Sequence, residues 1–127
     1  MQSVSDPILV TGAFGNLGRS VIRELVGRGQ RVRAFDLPTR ANRALARKLS
    51  GVEVVWGDLT REANVARAVQ GVRAVAHLAG ILPPLAERKP ALTRAVNFEG
   101  TRLLVDAAAK AKADMPFVFA SSCSVYG

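Results

Sequence analysis

The sequence predicts an α/β fold in which five parallel strands form a doubly wound sheet in the order 3-2-1-4-5. Three observations predict it. Short apolar runs alternate with helical stretches along the 127 residues. The runs are apolar at consecutive positions, as strands buried on both faces require. The intervening segments are long enough for the crossovers that parallel pairing needs, and right-handed crossovers place helices on both sheet faces. That order opens a crevice between strands 1 and 4 at their carboxyl ends, where ligands of such folds bind.

The first strand is predicted at residues 7–11, where Ile8, Leu9 and Val10 are consecutive. Over residues 16–28, Leu17, Val21 and Leu25 recur every fourth position with Ile22 and Val26 beside them, a helical stripe that Gly29 ends. Residues 31–36 return to strand character through Val32, Ala34 and Phe35, and residues 42–49 form a short basic helix. A third strand covers 52–56. Thr60 is placed to cap a helix over 61–69, and the fourth strand spans 72–78 between Gly71 and Gly80. A loop with Pro83, Pro84 and Pro90 leads into one long Ala-rich helix over 91–113, and Phe117, Val118 and Phe119 lie in a fifth strand at 116–121. The sheet stops after that strand, which leaves an apolar edge without a blocking charge and predicts self-association into a homo-oligomer.

A composition of 49% hydrophobic and 22% charged residues is that of a globular domain, and the length allows one domain, residues 1–127, with a core that needs no metal or disulfide. The single cysteine has no internal partner. With no apolar signal segment and no apolar run of spanning length, the expectation is a cytoplasmic protein with no membrane partner. The net charge of +8 raises nucleic acid or an anionic small molecule as partners. The densest basic run, Arg40, Arg43, Arg47 and Lys48, contains no aromatic residue for base stacking, so a solvated helix face is expected rather than a nucleic-acid site.

Gly12, Gly15 and Gly18 stand between the first strand and its helix, in Thr-Gly-Ala-Phe-Gly-Asn-Leu-Gly at residues 11–18. Backbone N–H groups and the helix dipole at that place favour a pyrophosphate. Asp36 ends the second strand eighteen residues after Gly18, close to the spacing at which an acid accepts hydrogen bonds from an adenosine ribose. Together they predict a dinucleotide site. NAD is expected over NADP, because the Asp36 charge repels a 2′-phosphate, although Arg40 and Arg43 lie close enough to offset it.

Further blocks follow in order: Gly-Asp-Leu at 57–59, His-Leu-Ala-Gly at 77–80, Val-Asn-Phe-Glu-Gly-Thr at 96–101 and Ser-Ser-Cys-Ser-Val-Tyr-Gly at 121–127. With the Thr-Gly-x-x-Gly-x-x-Gly of residues 11–18, they resemble the amino-terminal part of the extended short-chain dehydrogenase/reductase family, the NAD-dependent sugar epimerases and dehydratases, over the whole chain. The resemblance implies a Rossmann-type cofactor domain. It implies that the dinucleotide lies against Gly12, Phe14, Gly15, Asn16, Leu17 and Gly18, with Asp36 at the ribose and Asp58 and Leu59 at the adenine. Leu78, Ala79, Gly80, Asn97 and Ser121 would line the ribose and nicotinamide end. Ser122 is implied to hydrogen-bond the reacting hydroxyl or carbonyl of a small-molecule substrate, with Ser121 and Ser124 as neighbours that could take that part.

The remaining residue readings are structural. Asp58 could accept from an adenine amino group or cap the following helix. His77, the only histidine, is expected to be structural rather than a general base, and Asn97 to anchor the fourth strand to the long helix through an interior hydrogen bond. Cys123 reads as a filler. Tyr126, the only tyrosine, belongs to a Val-Tyr-Gly turn and is not the family's catalytic tyrosine, which sits in a Tyr-x-x-x-Lys helix absent here. The expected function is therefore the NAD-binding portion of an epimerase or dehydratase for a nucleotide sugar or similar substrate, without catalysis by the chain alone. A non-catalytic NAD(P)-binding sensor or scaffold is the alternative.

Overall fold

The computed structural model describes residues 6–122, so Cys123, Ser124 and Tyr126 lie outside the described residues. Strands β1 (Ile8–Thr11), β2 (Val32–Asp36), β3 (Glu53–Trp56), β4 (Ala74–His77) and β5 (Phe117–Phe119) form one sheet ordered β3-β2-β1-β4-β5, every pair parallel. The predicted strand order and parallel pairing are those of the molecule. Two cores sandwich the sheet. One gathers Leu9, Phe35, Val65, Val69, Val75 and Leu104 beneath α3 (Glu62–Val69) and α6 (Thr101–Ala111). The other gathers Val10, Ala13, Phe14, Ile22, Val32 and Ala34 beneath α1 (Asn16–Gly27) and α2 (Arg40–Ala46). Consecutive strand residues divide between the two cores, which is why the strands are apolar without alternation.

The helix boundaries depart from expectation where side chains compete for caps. α2 starts at Arg40 rather than residue 42, because the Thr39 hydroxyl accepts from the Asn42 N–H at 3.0 Å and caps the helix two residues early. Thr60 does not cap α3. Its N–H and hydroxyl both donate to Asp58 Oδ1 at 2.8 Å, and Arg61 takes the cap position without a side-chain bond. The 82–90 loop contains a helical turn, α4 (Leu85–Arg88), and the predicted long helix is divided into α5 (Pro90–Arg94), a π-helical turn Ala95–Gly100 and α6. The π turn absorbs one extra residue per turn and brings Asn97 round to the loop that follows β4. No helix among the described residues is long and apolar enough to cross a membrane.

Candidate functional site

The carboxyl ends of β1, β2, β3 and β4 carry the candidate site, and the glycine turn after β1 is its centre. Each of its three glycines has a different reason to be glycine. Gly12 takes φ +64, and a Cβ there would lie 2.8 Å from the Ala79 backbone after β4. At Gly18 a Cβ would lie 2.1 Å from the Gly12 carbonyl oxygen, so the helix could not close onto the turn. Gly15 is different: it is exposed, has ordinary dihedrals of −73° and 172°, and a Cβ would meet only the Gly12 oxygen, at 3.4 Å. The protein itself therefore gives no packing reason for Gly15, and the space it leaves open lies at the amino end of α1.

That end is electrostatically bare. No side chain caps it and its first turn has no acid, so the N–H groups of Asn16, Leu17 and Gly18 stand without a side-chain partner at the positive end of the helix dipole. Arg19 adds a cation, its Nη2 donating to Asn16 Oδ1 at 2.8 Å. The arrangement can hold an anion. The Leu17 side chain is exposed on α1, so its contribution is confined to the backbone of the turn.

Asp36 ties this turn to a second region. Its Oδ2 accepts from Phe14 N–H at 3.0 Å and its Oδ1 from Leu37 N–H at 2.8 Å, which fixes the half-buried carboxylate beside both the glycine turn and the loop after β2. Next to it is a cleft of about 470 Å³ lined by Leu37, Pro38, Trp56, Gly57, Asp58, Arg61 and Asn64. Asp58 keeps its place there through its own N–H, which donates to Asn64 Oδ1 at 2.9 Å, while its carboxylate folds onto Thr60 and caps no helix. Leu59 turns inward: its side chain is in the core, 3.1 Å from where a Gly100 Cβ would be, and only its backbone can face a ligand.

On the other side of the crevice a buried proton network joins β1, β4 and α6. The Thr11 hydroxyl oxygen accepts from Leu78 N–H at 3.1 Å and from Ala79 N–H at 3.2 Å, so its single hydrogen is donated to His77 Nδ1, 2.6 Å away. Nε2 then carries the imidazole proton and donates to Thr101 Oγ1 at 2.8 Å. Burial removes the water that would stabilise the imidazolium and lowers the His77 pKa from 6.5 to about 4. His77 is thus a structural linchpin, and the Thr11 network fixes Leu78 and Ala79 as a wall. Asn97 extends the wall, its amide bonded twice to the Ile81 main chain (Oδ1 from Ile81 N–H at 2.7 Å, Nδ2 to Ile81 carbonyl at 3.0 Å), and its Oδ1 lies 3.4 Å from where a Gly80 Cβ would point. It anchors the segment after β4, with both ends of its amide committed.

Ser121 and Ser122 are exposed and follow β5 after Ala120, whose N–H donates to the His77 carbonyl at 3.1 Å and brings the strand end alongside β4. Sequence reasoning missed Thr11 as the network's hub and missed Trp56, Leu37, Pro38, Arg61 and Asn64 as cleft walls. Position would have found Trp56 and Leu37, since each stands at the carboxyl end of a strand next to a residue already singled out.

A profile of the NAD dependent epimerase/dehydratase family matches residues 8–127. The chain is similar to a short-chain dehydrogenase/reductase superfamily protein from Agrobacterium tumefaciens solved with bound NAD (41% identity, TM-score 0.77, 94% of this chain and 33% of that one). It is also similar to a UDP-glucose 4-epimerase structure, at 25% identity and TM-score 0.82 over 96% of this chain and 37% of that one. Among curated sequences, the photosystem II assembly factor Ycf39 of Cyanophora paradoxa is 32% identical over 114 residues, 90% of this chain and 33% of that protein. The chain thus spans about a third of the length of these relatives.

Proposed function

Because the chain belongs to the NAD dependent epimerase/dehydratase family, we propose that it is the cofactor-holding portion of an enzyme that uses NAD, in preference to NADP, on a hydroxyl or carbonyl group of a nucleotide sugar or similar small molecule. The observation that carries the reading is Gly15. Its missing side chain serves no packing need and leaves the bare amino end of α1 open to a pyrophosphate. Asn16, Leu17 and Gly18 would donate to the phosphate oxygens, and the cleft beside Asp36 would take the adenosine, with Asp58 and Leu59 at the adenine.

Preference for NAD follows from Asp36. Two backbone N–H groups hold its carboxylate at the end of β2, where it would accept from two ribose hydroxyls and would repel a phosphate. Leu78, Ala79 and Gly80 would border the nicotinamide end, with Ser121 close by, and Ser122 would hydrogen-bond and orient the substrate oxygen. A nicotinamide supplies a reversible two-electron acceptor when bound.

Within residues 1–127 no Tyr-x-x-x-Lys segment occurs, and His77, with both nitrogens engaged and a lowered pKa, is a poor base. The chain alone is therefore proposed to bind dinucleotide without turning over substrate. Calorimetric titration with NAD and NADP tests this, together with an assay for NAD reduction by nucleotide sugars; tighter binding of NADP, or turnover lost in His77→Gln, would overturn it.

The similarity to an assembly factor favours a second reading, an NAD(P)-binding sensor or scaffold. A Tyr-x-x-x-Lys segment in the sequence encoded downstream of Gly127 would favour the enzyme, and dinucleotide binding without one would favour the scaffold.

A further inference from the structure

Arg43 lies outside the site as built so far, yet it touches two of the cleft walls. Its guanidinium stacks over the Trp56 ring, 5.3 Å from the centroid, and its Nε donates to the Pro38 carbonyl at 3.3 Å. Trp56 and Pro38 both line the cleft, and in the sheet register Trp56 stands directly opposite Asp36. A second aromatic contact, with Phe14 at 5.4 Å between centroids, holds the indole in place against the glycine turn. A cation against the register partner of Asp36 would ordinarily be the group to neutralise a 2′-phosphate, since a guanidinium recognises phosphate well. Here it lies over the face of an indole, the aromatic that attracts cations most strongly, which holds it in that position.

We propose that Trp56 is a specificity-determining residue for the cofactor: by stacking Arg43 against its ring it withholds that guanidinium from the ribose 2′ position and leaves the Asp36 charge to exclude NADP. The inference rests on the dinucleotide reading above and gives a strand-end tryptophan and a helix arginine a part in the selectivity that the Asp36 charge provides. An arginine released from the ring has only to leave one carbonyl before it can face the cleft.

The chain has one tryptophan, so its fluorescence reports directly on the cleft. Dissociation constants for NAD and NADP are to be read from that signal in the native chain and, in the Trp56 variants, from calorimetry. In Trp56→Leu, which keeps an apolar wall without a π face, the preference for NAD should shrink about tenfold, and adding Arg43→Gln should restore it. A preference unchanged in Trp56→Leu, or shrunk equally in the double variant, overturns the inference. Arg43→Gln alone, which leaves the tryptophan in place, should keep the preference within about twofold; a marked loss of NADP binding there would mean that Arg43 already meets the phosphate. Failure of the native chain to bind either dinucleotide would overturn the site reading itself, and the specificity inference with it.

Discussion

Thr11 donates its hydroxyl hydrogen to His77 Nδ1 across 2.6 Å, from the end of one central strand to the end of its neighbour. The bond settles the imidazole tautomer and joins the two strands that flank the crevice.

One consequence is a pH dependence of stability. The folded pKa of His77 lies below its ordinary value, so between pH 6.5 and about 4 the unfolded chain binds the proton that the folded chain refuses. Stability is complete above pH 6.5 and falls on acidification through that window, by up to about 3 kcal/mol. Urea midpoints at pH 7, 6, 5 and 4.5 should show the decline, and His77→Gln, starting from a lower stability, should flatten it. Equal slopes in the two proteins would refute the assignment.

The glycines of the turn should separate folding from binding. Gly18→Ala places a methyl 2.1 Å from a carbonyl oxygen and is expected to cost at least about 3 kcal/mol. Gly15→Ala should change stability by no more than about 0.5 kcal/mol, because the backbone there suits any residue and its gain in chain stiffness offsets a poorer cap. It should nevertheless weaken NAD binding at least about tenfold by filling the approach to the helix end. Thermal melts beside calorimetric titrations give both numbers.

Asp36→Asn removes the charge and leaves one oxygen to serve two N–H donors. NAD affinity is expected to fall by about tenfold while NADP affinity falls less or rises, since a charge-assisted hydrogen bond is lost in the first case and a repulsion in the second. A parallel loss of both ligands would show that Asp36 only orders the loops.

Asn97→Ala strips two hydrogen bonds from the Ile81 main chain and should cost about 1–3 kcal/mol. Amide hydrogen exchange at Ile81 should rise sharply, with β1 and β2 unaffected.

Among the described residues β5 pairs only with β4, and Val118 and Phe119 on it are 65% and 54% exposed. Self-association through this edge is the expected behaviour at high protein concentration. Sedimentation velocity should show species above 13.5 kDa that Val118→Lys abolishes; a monomer at all concentrations would dismiss the idea.

The strand order, the glycine turn and the place of Asp36 were legible in the sequence, because consecutive apolar residues, crossover lengths and a glycine spacing are local signals that one topology satisfies. The breaks in the helices were not. Thr39 capping α2, Asp58 capturing Thr60 and the π turn at Asn97 depend on which partner a polar side chain finds, and Asn97 finds Ile81 only once β4 and α6 have been packed together. What residue types and spacing determined by themselves was therefore the scaffold and the glycine turn. What tertiary structure alone decided was the side-chain pairing around it: a histidine locked between two threonines, and an arginine laid on a tryptophan that stands beside Asp36. Those pairs join residues 13 to 66 positions apart that stand on different strands or helices, and no periodicity in the chain encodes a contact that exists only after folding has brought its two ends together.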